Sequence, residues 1–203
     1  MNKIESFYDR DYREKQYQSK EVLDLFKYLD VINKGKALDV GVGLGPNIKT
    51  LIDSGFEVSG IDISSYAISE LSREYPNCDF HVSDILDFEM KSDEYDLILC
   101  SMVLHHLDEA GVEKAVEKMK QGLKKGGVIY VSMLSDRDPT ANRSNFPTDD
   151  YLNTIRSNLS LVQVQNLFNG FETILAHDLY FWDSNRTKEF LKYYGIVSYI
   201  GRK

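Results

Sequence analysis

The chain has 203 residues, 42% of them apolar and 28% charged, the proportions of an ordinary globular protein long enough to bury a core without disulfide staples. Its formal net charge of −8 argues against nucleic acid as an obligate partner, because neutralising phosphates needs a basic face. No apolar run approaches the ~18 residues of a membrane span, Met1 to Ser6 is too polar for a signal sequence, and Cys78 and Cys100 lie outside any C-x-x-C pattern; the expectation is a cytoplasmic chain with buried free thiols and no metal.

In chain order, residues 1–18 are polar and rich in tyrosine (Tyr8, Tyr12, Tyr17) and read as a tail. A helix follows from about Ser19, with Val22, Leu25, Phe26, Leu29 and Ile32 on one face, and Gly35 ends it. Lys36 to Val42 reads as the first strand and runs into Gly41, Gly43 and Gly45, three glycines on alternate positions. Pro46 suits the first position of the next helix, where its missing N–H would be unpaired anyway. That helix carries Ile48, Leu51 and Ile52 and stops at Gly55. A second strand ends at Asp62, and a helix from about Ser65 carries Ile68 and Leu71 and stops before Pro76. Asp79 to Asp84 is the third strand; Tyr95 to Cys100, nearly all apolar, is the fourth and reads as buried on both faces. A helix from about Asp108 turns Val112, Ala115, Val116, Met119 and Leu123 inward, and Gly126-Gly127 leads into the fifth strand, Val128 to Leu134. Strands and helices alternating this regularly predict a doubly wound, mostly parallel α/β sheet in a single domain, residues 1–203.

After Leu134 the periodicity stops. Residues 135–150 hold two prolines, two asparagines and two arginines, a long aperiodic insertion of the kind that carries function. Leu161 to Phe168 reads as a helix stopped by Asn169-Gly170, and Phe171 to Trp182 and Gly195 to Gly201 as two late strands with a short charged helix between them.

The glycine bend is the most informative stretch. Alternate glycines let the backbone turn sharply and let a ligand lie against the main chain. A dinucleotide fingerprint, G-x-G-x-x-G/A, would need glycine or alanine where Pro46 stands. Asp39, just before the bend, would repel a diphosphate and attract an ammonium or sulfonium, and no G-K-[ST] closes a phosphate loop. Asp62 follows Gly41 by 21 residues (62 − 41 = 21), the spacing at which an acid reaches the ribose hydroxyls of a nucleoside. Its other reading is a helix N-cap, a task that Ser64 or Ser65 performs better.

Asp39-x-Gly41-x-Gly43-x-Gly45 resembles the first motif of the class I S-adenosylmethionine-dependent methyltransferases. Tyr95-Asp-Leu-Ile-Leu-Cys-Ser-Met-Val-Leu-His-His-Leu107 resembles their fourth motif, and Gly122-Leu-Lys-Lys-Gly-Gly127 their turn into strand five, most like small-molecule enzymes of the ubiquinone-biosynthesis and tellurite-resistance type. The resemblance implies a Rossmann-like seven-stranded sheet whose antiparallel last strand, Gly195 to Gly201, is inserted between strands five and six. It implies that Asp39, Gly41, Val42, Gly43, Gly45 and Asn47 surround the methionyl end of S-adenosylmethionine, that Asp62 holds the ribose and that Ile63 packs on the adenine. Asp84 and Ile85 would meet the adenine amino group and ring edge, and Ser101 and Met102 would floor the cofactor near the reacting methyl.

His105, just past the fourth strand, is the candidate general base, with His106 beside it. Residues 1–34 are expected to cover the cofactor site, with Tyr8 and Tyr12 as a lid. Arg137, Arg143 and Phe146 of the insertion, with Trp182, are candidates for acceptor recognition. The expected activity is methyl transfer to a small-molecule acceptor, releasing S-adenosylhomocysteine, by a monomer or homodimer that engages neither nucleic acid nor membrane. A cofactor-binding sensor without transfer stays open as an alternative, with an NAD-dependent oxidoreductase behind it.

Overall fold

A computed structural model describes residues 3–14, 23–141, 152–182 and 193–203. Seven strands form one sheet in the order β3 (Asp79–Val82), β2 (Glu57–Asp62), β1 (Lys36–Val40), β4 (Tyr95–Ser101), β5 (Leu123–Leu134), β7 (Tyr193–Arg202), β6 (Glu172–Trp182). Strands β1 to β5 run parallel, and β7 is antiparallel to both β5 and β6. The late strand is therefore inserted where the resemblance implied, and the α/β, doubly wound reading holds.

The central strands β1, β4 and β5 are buried on both faces because both are covered. Along β4, Ile98 and Cys100 join Leu38, Val40, Val116, Met119 and Phe168 in one core, while Leu97 and Leu99 join Leu25, Ile48, Leu51, Leu71 and Tyr130 in the other. Period-two alternation sends successive side chains to opposite faces. The first core lies under α5 (Glu109–Gly122) and α6 (Leu161–Leu167), the second under α2 (Leu23–Phe26), α3 (Ile48–Asp53) and α4 (Ser65–Glu74). The sequence direction of the sheet reverses between β1 and β4, and in open α/β sheets the crevice beyond the carboxyl ends at such a switch is where ligands bind.

Several expectations are corrected. The tail is a helix, α1 (Lys3–Glu14), because Ile4, Tyr8 and Tyr12 recur at four-residue spacing. The helix expected to run to Gly35 ends at Phe26 and gives way to a 3-10 turn, Leu29–Val31; its expected start at Ser19 lies outside the described residues. Leu25, Leu29 and Ile32 are buried as expected. Pro46 stands before the cap rather than inside helix α3, whose N-cap is Asn47, and Ile52 is exposed. Strand β5 begins at Leu123, five residues early, because Leu123 pairs with Tyr95 ahead of an irregularity at the glycine turn. Cys78 is only half-buried, in the turn after α4; Cys100 is fully buried, and both are free. The short helix expected between the late strands falls outside the described residues.

Candidate active site

The carboxyl end of β1 bends at once. Gly41 and Val42 both donate their N–H to the Ile61 carbonyl, at 2.8 and 3.0 Å, which ties the bend to the end of β2. Gly41 adopts φ +71°, and a Cβ there would stand 2.2 Å from Val103 Cγ2. Gly43, at φ +53°, presents its Cα to Tyr12 of α1, whose hydroxyl lies 3.0 Å from where a Cβ would be. These positions need glycine for backbone conformation and for close approach at once.

Asp39, in β1 itself, is 1% exposed, and its Oδ2 accepts from Asn47 Nδ2 at 3.1 Å. Asn47 thus spends its amide on the acid instead of capping α3. Burial pushes the Asp39 carboxyl up to about 7; the Asn47 bond opposes that rise and nearby Asp62 adds to it. Asp62, 5% exposed at the end of β2, accepts from Gly43 N–H and Ser64 N–H, each at 2.8 Å. Its carboxyl is pushed up to about 6 by burial, against those backbone bonds. Ser64 is the N-cap of α4, accepting from Ala67 N–H at 3.1 Å, which leaves Asp62 on the bend. Neither carboxylate is ion-paired among the described residues. A buried, unpaired carboxylate is costly, so this pair is suited to a cationic ligand that also offers hydroxyl donors.

The other residues expected at the site lie at or just beyond the carboxyl ends of β2, β3 and β4. Ile63 follows Asp62 directly and is half-buried. After β3, Asp84 Oδ1 accepts from Leu86 N–H at 2.9 Å, and Ile85 is buried. At the end of β4, Ser101 Oγ meets Ser132 Oγ at 3.0 Å, and Met102 sits at φ +57° with its N–H on the Ser132 carbonyl at 2.8 Å. A left-handed non-glycine residue at a strand's carboxyl end is strain held by its surroundings, a feature common at functional sites.

Both histidines of the 3-10 turn Leu104–His106 are buried, their ring centres 4.0 Å apart. His106 Nδ1 lies 3.0 Å from the Thr154 carbonyl and Nε2 lies 2.6 Å from the Tyr8 hydroxyl. A carbonyl only accepts, so Nδ1 carries the proton and Nε2 accepts from Tyr8. Burial lowers the His106 pKa to about 4, so the ring is neutral at physiological pH. The His105 carbonyl accepts from Arg156 and Ser157 N–H, which anchors the turn.

Of the residues expected on the acceptor side, Tyr8, Tyr12 and His106 come together over the bend. Arg137 instead pairs with Asp178 at 3.2 Å and stacks over Tyr180 on the outermost strand, β6, and Trp182 lies half-exposed on the same strand, separated from β1 by β4, β5 and β7. Arg143 and Phe146 lie outside the described residues. Ser64 is the N-cap that the sequence offered, whereas Asp9 and the approach of Val103 to Gly41 escaped the sequence reading. Only Asp9 left a signal, one position from Tyr8 on what is now a helix. Among the described residues no group of three or more His, Cys, Asp or Glu is placed to hold a metal, and no helix is long and apolar enough to cross a membrane.

Residues 37–127 match the family model of the methyltransferase domain. An uncharacterized methyltransferase of Bacillus mycoides (strain KBAB4) is 31% identical over 139 residues, 64% of this chain and 65% of that protein. A second, from Anoxybacillus flavithermus, is 33% identical over 93 residues, 45% of this chain and 43% of its own length. The chain thus spans less than two thirds of the length of these curated relatives. Among solved structures, the methyltransferase in the Haloferax volcanii complex with the Trm112 methyltransferase activator superposes with a TM-score of 0.74 at 15% identity, over 100% of this chain and 98% of that one. The S-adenosylmethionine-dependent methyltransferase of Mesorhizobium loti gives 0.67 at 17%, over 91% and 99%. Residues 37–127 are thus similar to the methyltransferase domain, and the strand order around them is the fold shared with these solved methyltransferases.

Proposed function

We propose that this chain moves a methyl group from S-adenosylmethionine to a small-molecule acceptor. The observation that carries the reading is the pair of buried carboxylates, Asp39 and Asp62, which flank a glycine bend and lack a cation among the described residues. The residues fit the cofactor: a bend with glycine at three alternate positions admits a ligand to the main chain, one acid answers positive charge, and the other can accept from a diol.

When bound, the cofactor supplies a methyl group already activated on a sulfonium. The protein's work is then to hold acceptor and methyl in line, an alignment worth about 7–11 kcal/mol of barrier. Asp39, with Gly41, Val42, Gly43, Gly45 and Asn47, would hold the methionyl end; Asp62 would hold the ribose and Ile63 the adenine face. Asp84 and Ile85 would meet the adenine edge, and Ser101 and Met102 would line the floor. Where the acceptor's nucleophile carries a proton, its removal is assigned to His105; His106 has both ring nitrogens engaged, by Thr154 and Tyr8, and its pKa of about 4 makes it a weak base that positions its neighbours. The net charge of −8 and the helix lying over the bend favour a small acceptor over a nucleic acid.

Calorimetry with S-adenosylmethionine, S-adenosylhomocysteine and NAD tests the cofactor, and mass spectrometry of an acceptor panel tests transfer. Binding of both adenosyl compounds without NAD, and release of S-adenosylhomocysteine only with an acceptor, is the expected result. Binding of NAD alone would overturn the reading; binding without any transfer would leave a sensor.

A further inference from the structure

Helix α1 crosses the bend and is fastened on both sides of it. On the β2 side, Asp9 Oδ1 accepts from the Ser64 hydroxyl and from Tyr66 N–H at 3.3 Å, at the start of α4. One turn further on, the Arg13 guanidinium lies over the Tyr66 ring, 4.4 Å from its centre. On the β4 side, Tyr8 donates to the neutral His106 ring at 2.6 Å. Between the two attachments, the Tyr12 hydroxyl lies against Gly43. With the helix in this position Asp39 and Asp62 are 1% and 5% exposed, and α1 lies against Gly43, whose N–H Asp62 holds. The two attachments lie on opposite lips of one crevice, and the helix between them spans it.

We propose that α1 is a strap over the crevice, and that Asp9 and Tyr8 are positioning residues that set how often it opens to admit and release the cofactor. The proposal rests on the reading of the bend as an S-adenosylmethionine site. Asp9 acts through Ser64, whose N–H is held by Asp62, so the ribose-side acid and the strap share one hydrogen-bonded unit. Tyr8 acts through His106, whose tautomer is fixed by Thr154. Breaking either attachment shifts the balance toward the open state. A net loss of one such bond raises the open fraction by roughly three- to tenfold.

A gate has a kinetic signature that a ligand contact lacks: entry and exit quicken together while affinity stays put. The test is stopped-flow binding of S-adenosylhomocysteine to the full chain and to Asp9→Ala, Tyr8→Phe and Arg13→Ala, with thermal melts to confirm that each variant is folded. Arg13 touches only the outer flank of Tyr66, so its variant weakens the strap if the site residues prove too disruptive to replace. The expected result is a rise of roughly three- to tenfold in both kon and koff, with Kd held within about twofold. Unchanged rates in all folded variants, or a rise in koff alone, would overturn the strap while leaving the cofactor site standing. Failure of the unmodified chain to bind S-adenosylhomocysteine would overturn the site itself, and the strap with it.

Discussion

Acidification should loosen the grip on a cationic ligand in step with the protonation of Asp39. Burial holds this carboxyl at about 7, so at about pH 8 it is mostly ionised and at about pH 6 only roughly one molecule in ten carries the charge. If binding needs the ionised form, affinity for S-adenosylmethionine falls roughly tenfold between those points and continues down by about tenfold per pH unit. Asp62, at about 6, adds to the loss further down. The protein alone behaves oppositely. Both acids sit above their ordinary value of 3.8 in the folded chain, so the folded state keeps protons that the unfolded chain would release. Their contribution therefore stabilises the ligand-free fold as pH drops from about 7 toward about 4 and is lost on the way back up. Isothermal titration from about pH 8 to about pH 5.5, run beside thermal melts, reads both slopes, and Asp39→Asn should flatten the first. Affinity that does not change across that range would refute the assignment of Asp39 to the cationic end of the ligand.

Asp62→Ala should weaken S-adenosylhomocysteine binding by at least about tenfold on calorimetry while circular dichroism stays native, since it removes the acceptor proposed for the ribose and the one that holds Gly43 and Ser64. Gly41→Ala should cost about 1–3 kcal/mol and lower the melting temperature, because the new methyl meets Val103 at 2.2 Å on a left-handed backbone. Phe168→Ala should destabilise by about 3–5 kcal/mol in urea melts without changing cofactor affinity, because Phe168 is 1% exposed and stacked on Tyr199 in the core beneath α5 and α6.

The parallel half of the sheet was legible because β1, β4 and β5 carry apolar runs, because Gly41 and Asp62 close β1 and β2, and because a glycine bend leaves few alternatives for the chain around it. Asp39 and Asp62 could be placed on opposite sides of that bend from spacing alone. Helix α1 was less legible: Ile4, Tyr8 and Tyr12 recur at helical spacing, but most of its residues are charged, and Tyr8, Asp9 and Arg13 are held by contacts on other elements. The same limit hid the early end of α2, where the apolar face continues through Leu29 and Ile32 although the backbone tightens into a 3-10 turn. Tertiary contact decides such segments, and residues that meet across 98 positions, as Tyr8 and His106 do, leave no trace in local pattern.

The interior place of β7 has a bearing on how the chain is made. Val128 to Leu134 finds its second neighbour only in residues 196–202, so every nascent chain shorter than that carries a bare row of backbone donors and acceptors along a very apolar strand. Such a row invites pairing with another copy. Sensitivity to any truncation that removes Tyr193–Arg202 follows from where that one strand lies.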